Sequence, residues 1–224
     1  MRCTDCHGTV RPIVSVDIDG TLAGYHFHWF RFAKEWLGED GDTLLRWLRY
    51  DGTADLATHM GLDKRTYRQM KLAYRQGGMK RSMPVMPGAL FLMTTLLVMD
   101  VEIWLTTTRP YLQIGNVDED TREWLRRQQL PFDHLLYTDR KYEELVTQVN
   151  ADRIACVIED QVYPEYSEAV NLGLPALLVR TPYNEGAIRE AGSTGPNMPQ
   201  VVDGLDAARA MTMILVNEWR KKHG

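Results

Sequence analysis

Two aspartates, Asp17 and Asp19, close the β-branched run Pro12-Ile13-Val14-Ser15-Val16 and lead into Gly20-Thr21. At a strand end where the chain begins to turn, two carboxylates in this spacing can address one centre. Asp17 can offer one oxygen to a magnesium ion and the other to a phosphorus atom. Asp19 can protonate a leaving alkoxide and later take a proton from attacking water. A further acid, Asp160 in Ile158-Glu159-Asp160, ends another apolar run. Magnesium prefers oxygen ligands, so the metal candidates are Asp17, Asp19 through its main-chain carbonyl, and Asp160. Such an ion would offset the repulsion between carboxylate and phosphate.

Elements must bring these residues together. Beside the first run, Val101-Glu102-Ile103-Trp104-Leu105, Ile154-Ala155-Cys156-Val157-Ile158 and Pro175-Ala176-Leu177-Leu178-Val179 read as buried strands. Helical character falls between them, over 88–99, 118–129, 141–150 and 165–172, the last closing at Gly173. This alternation predicts an α/β fold, a doubly wound parallel sheet with helices on both faces and ligands at the carboxyl ends of the strands. Residues 23–86 interrupt it. Trp29, Phe32, Ala33 and Trp36, then Leu44, Leu45, Trp47 and Leu48, recur at helical spacing. The expected organisation is a catalytic core over 10–22 and 87–224, a helical cap over 23–86 that covers the strand ends, and an extension over 1–9.

The 224 residues are 44% hydrophobic and 25% charged with a formal net charge of −4, a balance that excludes fibrous and disordered classes. Net negative charge gives no footprint for duplex nucleic acid. No run approaches the roughly 20 apolar residues that span a bilayer, and the polar start lacks a leader's apolar segment, so a cytoplasmic location is expected. The three cysteines are read as free thiols. Cys3-Thr4-Asp5-Cys6-His7 could be half of a zinc site, but no second C-x-x-C follows, and a structural terminal segment is the preferred reading.

The order of these pieces resembles the haloacid dehalogenase superfamily. Asp17-Ile18-Asp19-Gly20-Thr21 matches its first motif, DxDGT, and Ile158-Glu159-Asp160 its acidic fourth motif, with Glu159 in place of the commoner Gly or Asp. The resemblance implies a Rossmann-like core and an aspartyl-phosphate intermediate on Asp17. It implies Thr106 as the hydroxyl that holds a phosphoryl oxygen, and Lys141 as the cation on nucleophile and phosphate. Arg140 competes with Lys141 for that role. Asp19 points to phosphate-ester hydrolysis rather than dehalogenation.

A looser similarity, carried by Met83-Pro84-Val85-Met86-Pro87-Gly88, the Thr106-Thr107 pair and Tyr137-Thr138-Asp139-Arg140-Lys141, is to 5'(3')-deoxyribonucleotidases. It implies a small phosphorylated substrate, a (deoxy)nucleoside monophosphate, with Thr107 on the substrate. Polynucleotide 3'-phosphatase, sugar-phosphate phosphatase and a non-catalytic nucleotide-binding domain are the alternatives. The aromatic segment at 25–30, with Phe27, can supply a face for a base, and Lys80 and Arg81 a cationic wall. Leu205, Ala208, Met211, Leu215 and Trp219 predict a last helix, packed on the sheet or against the second subunit of a homodimer.

Overall fold

The computed structural model describes residues 10–109, 114–193 and 200–223. The segment Cys3 to His7 lies outside them, as does Pro110. Strand β1 (Ile13–Asp17) is buried at all five positions, the pattern of a strand covered on both faces rather than an alternating edge. The chain then enters helices α1 (Tyr25–Leu37), α2 (Thr43–Trp47), α3 (Leu56–Met60) and α4 (Lys64–Gln76) and a 3-10 turn at Met79–Ser82. Asp55 caps α3, and Asp63 caps α4 by accepting from the Arg65 and Thr66 amides at 2.8 and 2.9 Å. The insertion leaves and returns side by side. Gly24 N donates to Pro84 O and Met86 N to Leu22 O, each at 2.8 Å.

Helix α5 (Ala89–Val98) leads to β2 (Glu102–Thr107), α6 (Val117–Arg127), β3 (His134–Tyr137), α7 (Lys141–Gln148) and β4 (Ile154–Glu159). A π-type turn at Val162–Tyr166 and α8 (Ser167–Asn171) precede β5 (Ala176–Val179), α9 (Glu185–Ser193), β6 (Val201–Val202) and α10 (Gly204–His223). Six parallel strands run in the order β3-β2-β1-β4-β5-β6.

Side chains alternate across this sheet and build two cores. Val14, Val16, Ile103, Leu105, Cys156 and Ile158 join Leu92 and Leu96 of α5, Trp124 of α6 and Leu205 and Val216 of α10, together with Trp29, Trp47 and Tyr74 of the insertion. On the opposite face Ile13, Trp104, Val157 and Leu178 pack on Tyr142 and Leu145 of α7, Ala169 of α8 and Ile188 of α9. The last helix lies on the sheet against β4 and α5, and Trp219 Nε1 donates to Asp152 O at 2.6 Å. Among the described residues no helix is long and apolar enough to cross a membrane.

Candidate active site

The central strands β1 and β4 deliver three buried carboxylates to one point. Asp17, Glu159 and Asp160 each place an oxygen within 4.8 Å of the other two. Lys141, the first residue of α7, reaches between them, with its ammonium 2.5 Å from Asp17 Oδ1 and 2.8 Å from Glu159 Oε1. The Tyr142 hydroxyl donates to that same Glu159 oxygen at 2.5 Å. Burial pushes the Asp17 carboxyl up to about 7; the Lys141 charge pulls against this and the Glu159 charge adds to it. Burial, then Asp17 and Glu159, raise Asp160 as well. Lys141 stays a cation, because its two carboxylates outweigh its own desolvation.

One ammonium facing three carboxylates leaves two negative charges uncompensated when all are ionised, a costly arrangement in a buried site. Glu159 Oε2 is also buried without a hydrogen-bond partner. Hard oxygen donors, an orphaned carboxylate oxygen and a surplus of two charges fit a divalent ion of the magnesium type. Asp17, Glu159 and Asp160 would hold it. Thr21 Oγ1 donates to Asp160 Oδ1 at 2.9 Å and fixes that carboxylate's rotation.

The turn after β1 depends on Gly20, whose φ is +110°. A Cβ there would lie 2.7 Å from Asp160 Cγ. Tyr183 donates to Gly20 O at 2.6 Å, and Asn184 Nδ2 to Asp160 O at 2.6 Å, so the segment after β5 braces both acidic loops. Gly20→Ala is therefore expected to cost about 1–3 kcal/mol of stability and to displace Asp160. Chemical denaturation with and without magnesium reads both effects, and a variant that keeps wild-type stability and metal response would contradict this account.

Asp19 has a different setting. Its carboxylate receives Arg109 Nε at 3.1 Å and Arg109 Nη2 at 2.6 Å, and Lys80 from the insertion donates to the same group. Burial would raise this carboxyl, but Arg109 and then Lys80 outweigh it and hold it well below the usual carboxylate range. Arg109 is itself positioned by Thr121 Oγ1 at 2.6 Å. The Asp19 side chain is thus committed to an ion-pair clamp between core and insertion and is absent from the carboxylate cluster. Glu159 joins Asp17 and Asp160 as a third side-chain candidate for the metal; the expected contribution of Asp19, its main-chain carbonyl, does not involve the clamped side chain.

A cleft of about 430 Å³ opens over these groups, with Asp17, Asp19, Lys80 and Lys141 among its lining. Thr106 and Thr107 are not in that lining. Thr106 faces the α7 side, where its hydroxyl meets Ser15 Oγ at 3.0 Å. Thr107 is buried and accepts from Thr138 N at 3.1 Å through its carbonyl. The residues of this strand end that line the cleft are Thr108 and Arg109.

Phe27 also falls elsewhere, being 46% exposed on α1 with the Arg31 guanidinium 6.0 Å from its ring. Helical geometry turns its neighbours Tyr25 and His26 inward instead. The His26 ring stacks on Tyr183 at 3.9 Å, burial pushes its pKa down to about 3, and its Nδ1 has no partner. Arg81 is bound to Asp120 and, at 2.9 Å, to Glu119, outside the cleft. Arg140 is exposed and pairs with Glu143 at 2.7 Å, so of the two it is Lys141 that reaches Asp17 and Glu159.

Comparison with known proteins adds the fold and no closer kinship. No family model and no curated protein sequence matches the chain. Among solved structures, a predicted phosphatase from Clostridium acetobutylicum superposes with a TM-score of 0.65 at 16% identity, covering 92% of this chain and 100% of its own. A protein from Bacillus subtilis assigned to the HAD hydrolases, in a structure bound to magnesium, gives 0.59 at 12% identity over 91% and 99%. The L-2-haloacid dehalogenase of Xanthobacter autotrophicus, with chloropropionic acid covalently bound, gives 0.55 at 14% identity over 91% and 99%. The chain shares the six-stranded parallel α/β fold of these proteins.

Proposed function

We propose that this chain is a magnesium-dependent phosphomonoester hydrolase that works through an aspartyl phosphate on Asp17 and acts on nucleoside monophosphates, deoxynucleotides among them. The observation that carries the reading is the Asp17 carboxylate, buried between Lys141 and the Glu159–Asp160 pair at the floor of the cleft. The predicted phosphatase and the magnesium-bound protein with the same fold support it.

The ion, when bound, supplies positive charge against the repulsion between carboxylates and phosphate. Lys141 aims Asp17 and its charge favours the ionised form against the effect of burial. An Asp17 oxygen attacks phosphorus, the bond from phosphorus to the ester oxygen breaks, and the leaving alkoxide takes a proton from Asp19. Water then attacks the acyl phosphate, Asp19 accepts its proton, and the Asp17–phosphorus bond breaks to release inorganic phosphate. In the present arrangement Asp19 is an ionised partner of Arg109 and Lys80. An incoming phosphate that draws either cation to itself loosens the clamp and lets Asp19 carry a proton. Arg109 and Lys80 thus couple substrate entry to the acid.

The nucleotide part rests on the walls. His26 is neutral with an unpartnered Nδ1, and Tyr50 and Tyr67 line the same cleft. These groups suit a planar base with polar edges. The volume is within the roughly 300–1,000 Å³ of small-ligand sites, too small for a duplex.

Purified protein should release phosphate from nucleoside monophosphates only with magnesium, lose at least about 100-fold of that rate in excess chelator, and regain it on metal addition. Inert nucleotides beside rapidly hydrolysed sugar phosphates would refute the substrate assignment. Release unaffected by chelation would refute the metal.

A further inference from the structure

Five cationic side chains line the cleft, and three of them already have acids to face. Lys141 is held by Asp17 and Glu159, and Lys80 and Arg109 by Asp19. Lys71 and Arg75, one turn apart on α4, differ. Neither has a carboxylate partner among the described residues, and the nearby cleft acid Asp55 is engaged in capping Thr58.

Lys71 sits in an aromatic box. Its ammonium lies 4.8 Å from the Tyr25 ring, 4.9 Å from Trp29 and 5.4 Å from Tyr67, and it donates to the Tyr25 hydroxyl. Rings weaken the desolvation of a cation but do not cancel its charge. Burial, and then the Arg75 charge, push the Lys71 ammonium down to about 7. Arg75 lies in the last turn of α4, where its carbonyl accepts from Asn116 Nδ2 at 2.8 Å. Two neighbouring cations, one of them mostly desolvated and both lining a cleft, form an arrangement that an anion stabilises.

We propose that the preferred substrate carries a second anionic group, seated against Lys71 and Arg75 while the reacting phosphate meets Asp17. This rests on the phosphatase reading above and narrows it, from nucleoside monophosphates in general to nucleotides that bear a second phosphate, such as 3',5'-bisphosphates. Lys71 and Arg75 are binding residues for that group and take no part in bond breaking. The aromatic box holds the lysine extended toward the cleft, so little side-chain entropy is lost when the anion arrives.

Binding tests this without relying on turnover. Calorimetry on the full chain carrying Asp17→Asn, with magnesium present, compares 2'-deoxyadenosine 3',5'-bisphosphate with the 5'- and 3'-monophosphates, and fructose 1,6-bisphosphate with fructose 6-phosphate. The bisphosphate is expected to bind roughly 30-fold tighter than its monophosphates, the range of one or two charge-assisted contacts. Adding Lys71→Met or, at a half-buried and more tolerant position, Arg75→Gln should bring that ratio within about threefold. Equal affinity for mono- and bisphosphates, or variants that weaken both alike, would overturn the proposal. A preference confined to the sugar pair would uphold the second anion site and overturn the nucleotide assignment. In unsubstituted protein, magnesium-dependent release from monophosphates without any gain from a second phosphate would leave the phosphatase standing and remove only this inference.

Discussion

Asp17→Asn should lower phosphate release by at least about 10⁴-fold while the protein stays folded. The amide cannot form an acyl phosphate, and losing a nucleophile that acts in concert with its neighbours typically costs several decades of rate. Stability should change little, because two opposed terms are removed together. The variant gives up the contact from Lys141 to Asp17, yet Lys141 keeps Glu159 at 2.8 Å, and Asp160 loses one of the charges that raise its carboxyl. The checks are a phosphate-release assay, a thermal melt, and hydroxylamine trapping of an acyl phosphate in unsubstituted protein but not in the variant. Release above about a hundredth of the original rate would show that another group attacks phosphorus.

Lys141→Met is the second large effect, and it separates stability from rate. Removing one member of a buried ion pair leaves the other uncompensated, at a cost of about 3–5 kcal/mol. Here two carboxylates, 4% and 0% exposed, would be stranded. For a chain of this size that amounts to a fall in Tm on the order of 10 °C. Turnover should drop by about 10²–10³, the usual cost of deleting one charge aimed at the reacting centre. Arg140 cannot replace it, being exposed and paired to Glu143. Magnesium should restore part of the lost Tm, since it answers the same surplus of negative charge, but not the rate. A melt indifferent to both substitution and metal would mean that the three carboxylates do not share charge as their spacing requires.

The sheet was largely readable because its central strands are continuous apolar runs. Ile13 to Asp17, Glu102 to Thr107, Ile154 to Glu159 and Ala176 to Val179 all lie within a residue or two of their expected places. The edge strands β3 and β6 were not. His134–Tyr137 has four residues and Val201–Val202 two, too short for any period to register, and they are strands because a neighbour's edge was open. Helix α9 escaped for a similar reason, since its Gly-containing, weakly apolar segment is held partly by Asp51, whose carbonyl accepts from the Gly186 and Ala187 amides.

At the site, Asp17, Asp160 and Lys141 follow from strand-end position and motif. Glu159 was visible only as a departure from pattern, although a second acid beside Asp160 was a signal for charge density. Arg109, three residues past Trp104-Leu105-Thr106, offered a cue too, a lone guanidinium at a strand's carboxyl end. Phe27 illustrates the other limit. Within one helical turn, which of Tyr25, His26 and Phe27 faces the cleft is set by how α1 rotates onto Trp47, Met70 and Tyr74, and those contacts are long-range.

The strand that carries Asp17 has a cost written in time. Ile13 pairs with Glu102 on one side and Ile154 on the other, about 90 and 140 residues later in the chain. During synthesis at roughly 5–20 residues per second, β1 leaves the ribosome with both edges bare and waits on the order of ten seconds for its second neighbour. Such non-local pairing makes for slow folding. A strand buried at all five positions, and the one that ends in Asp17, is therefore a segment exposed to mispairing before the sheet closes, and one a chaperone would have reason to shield.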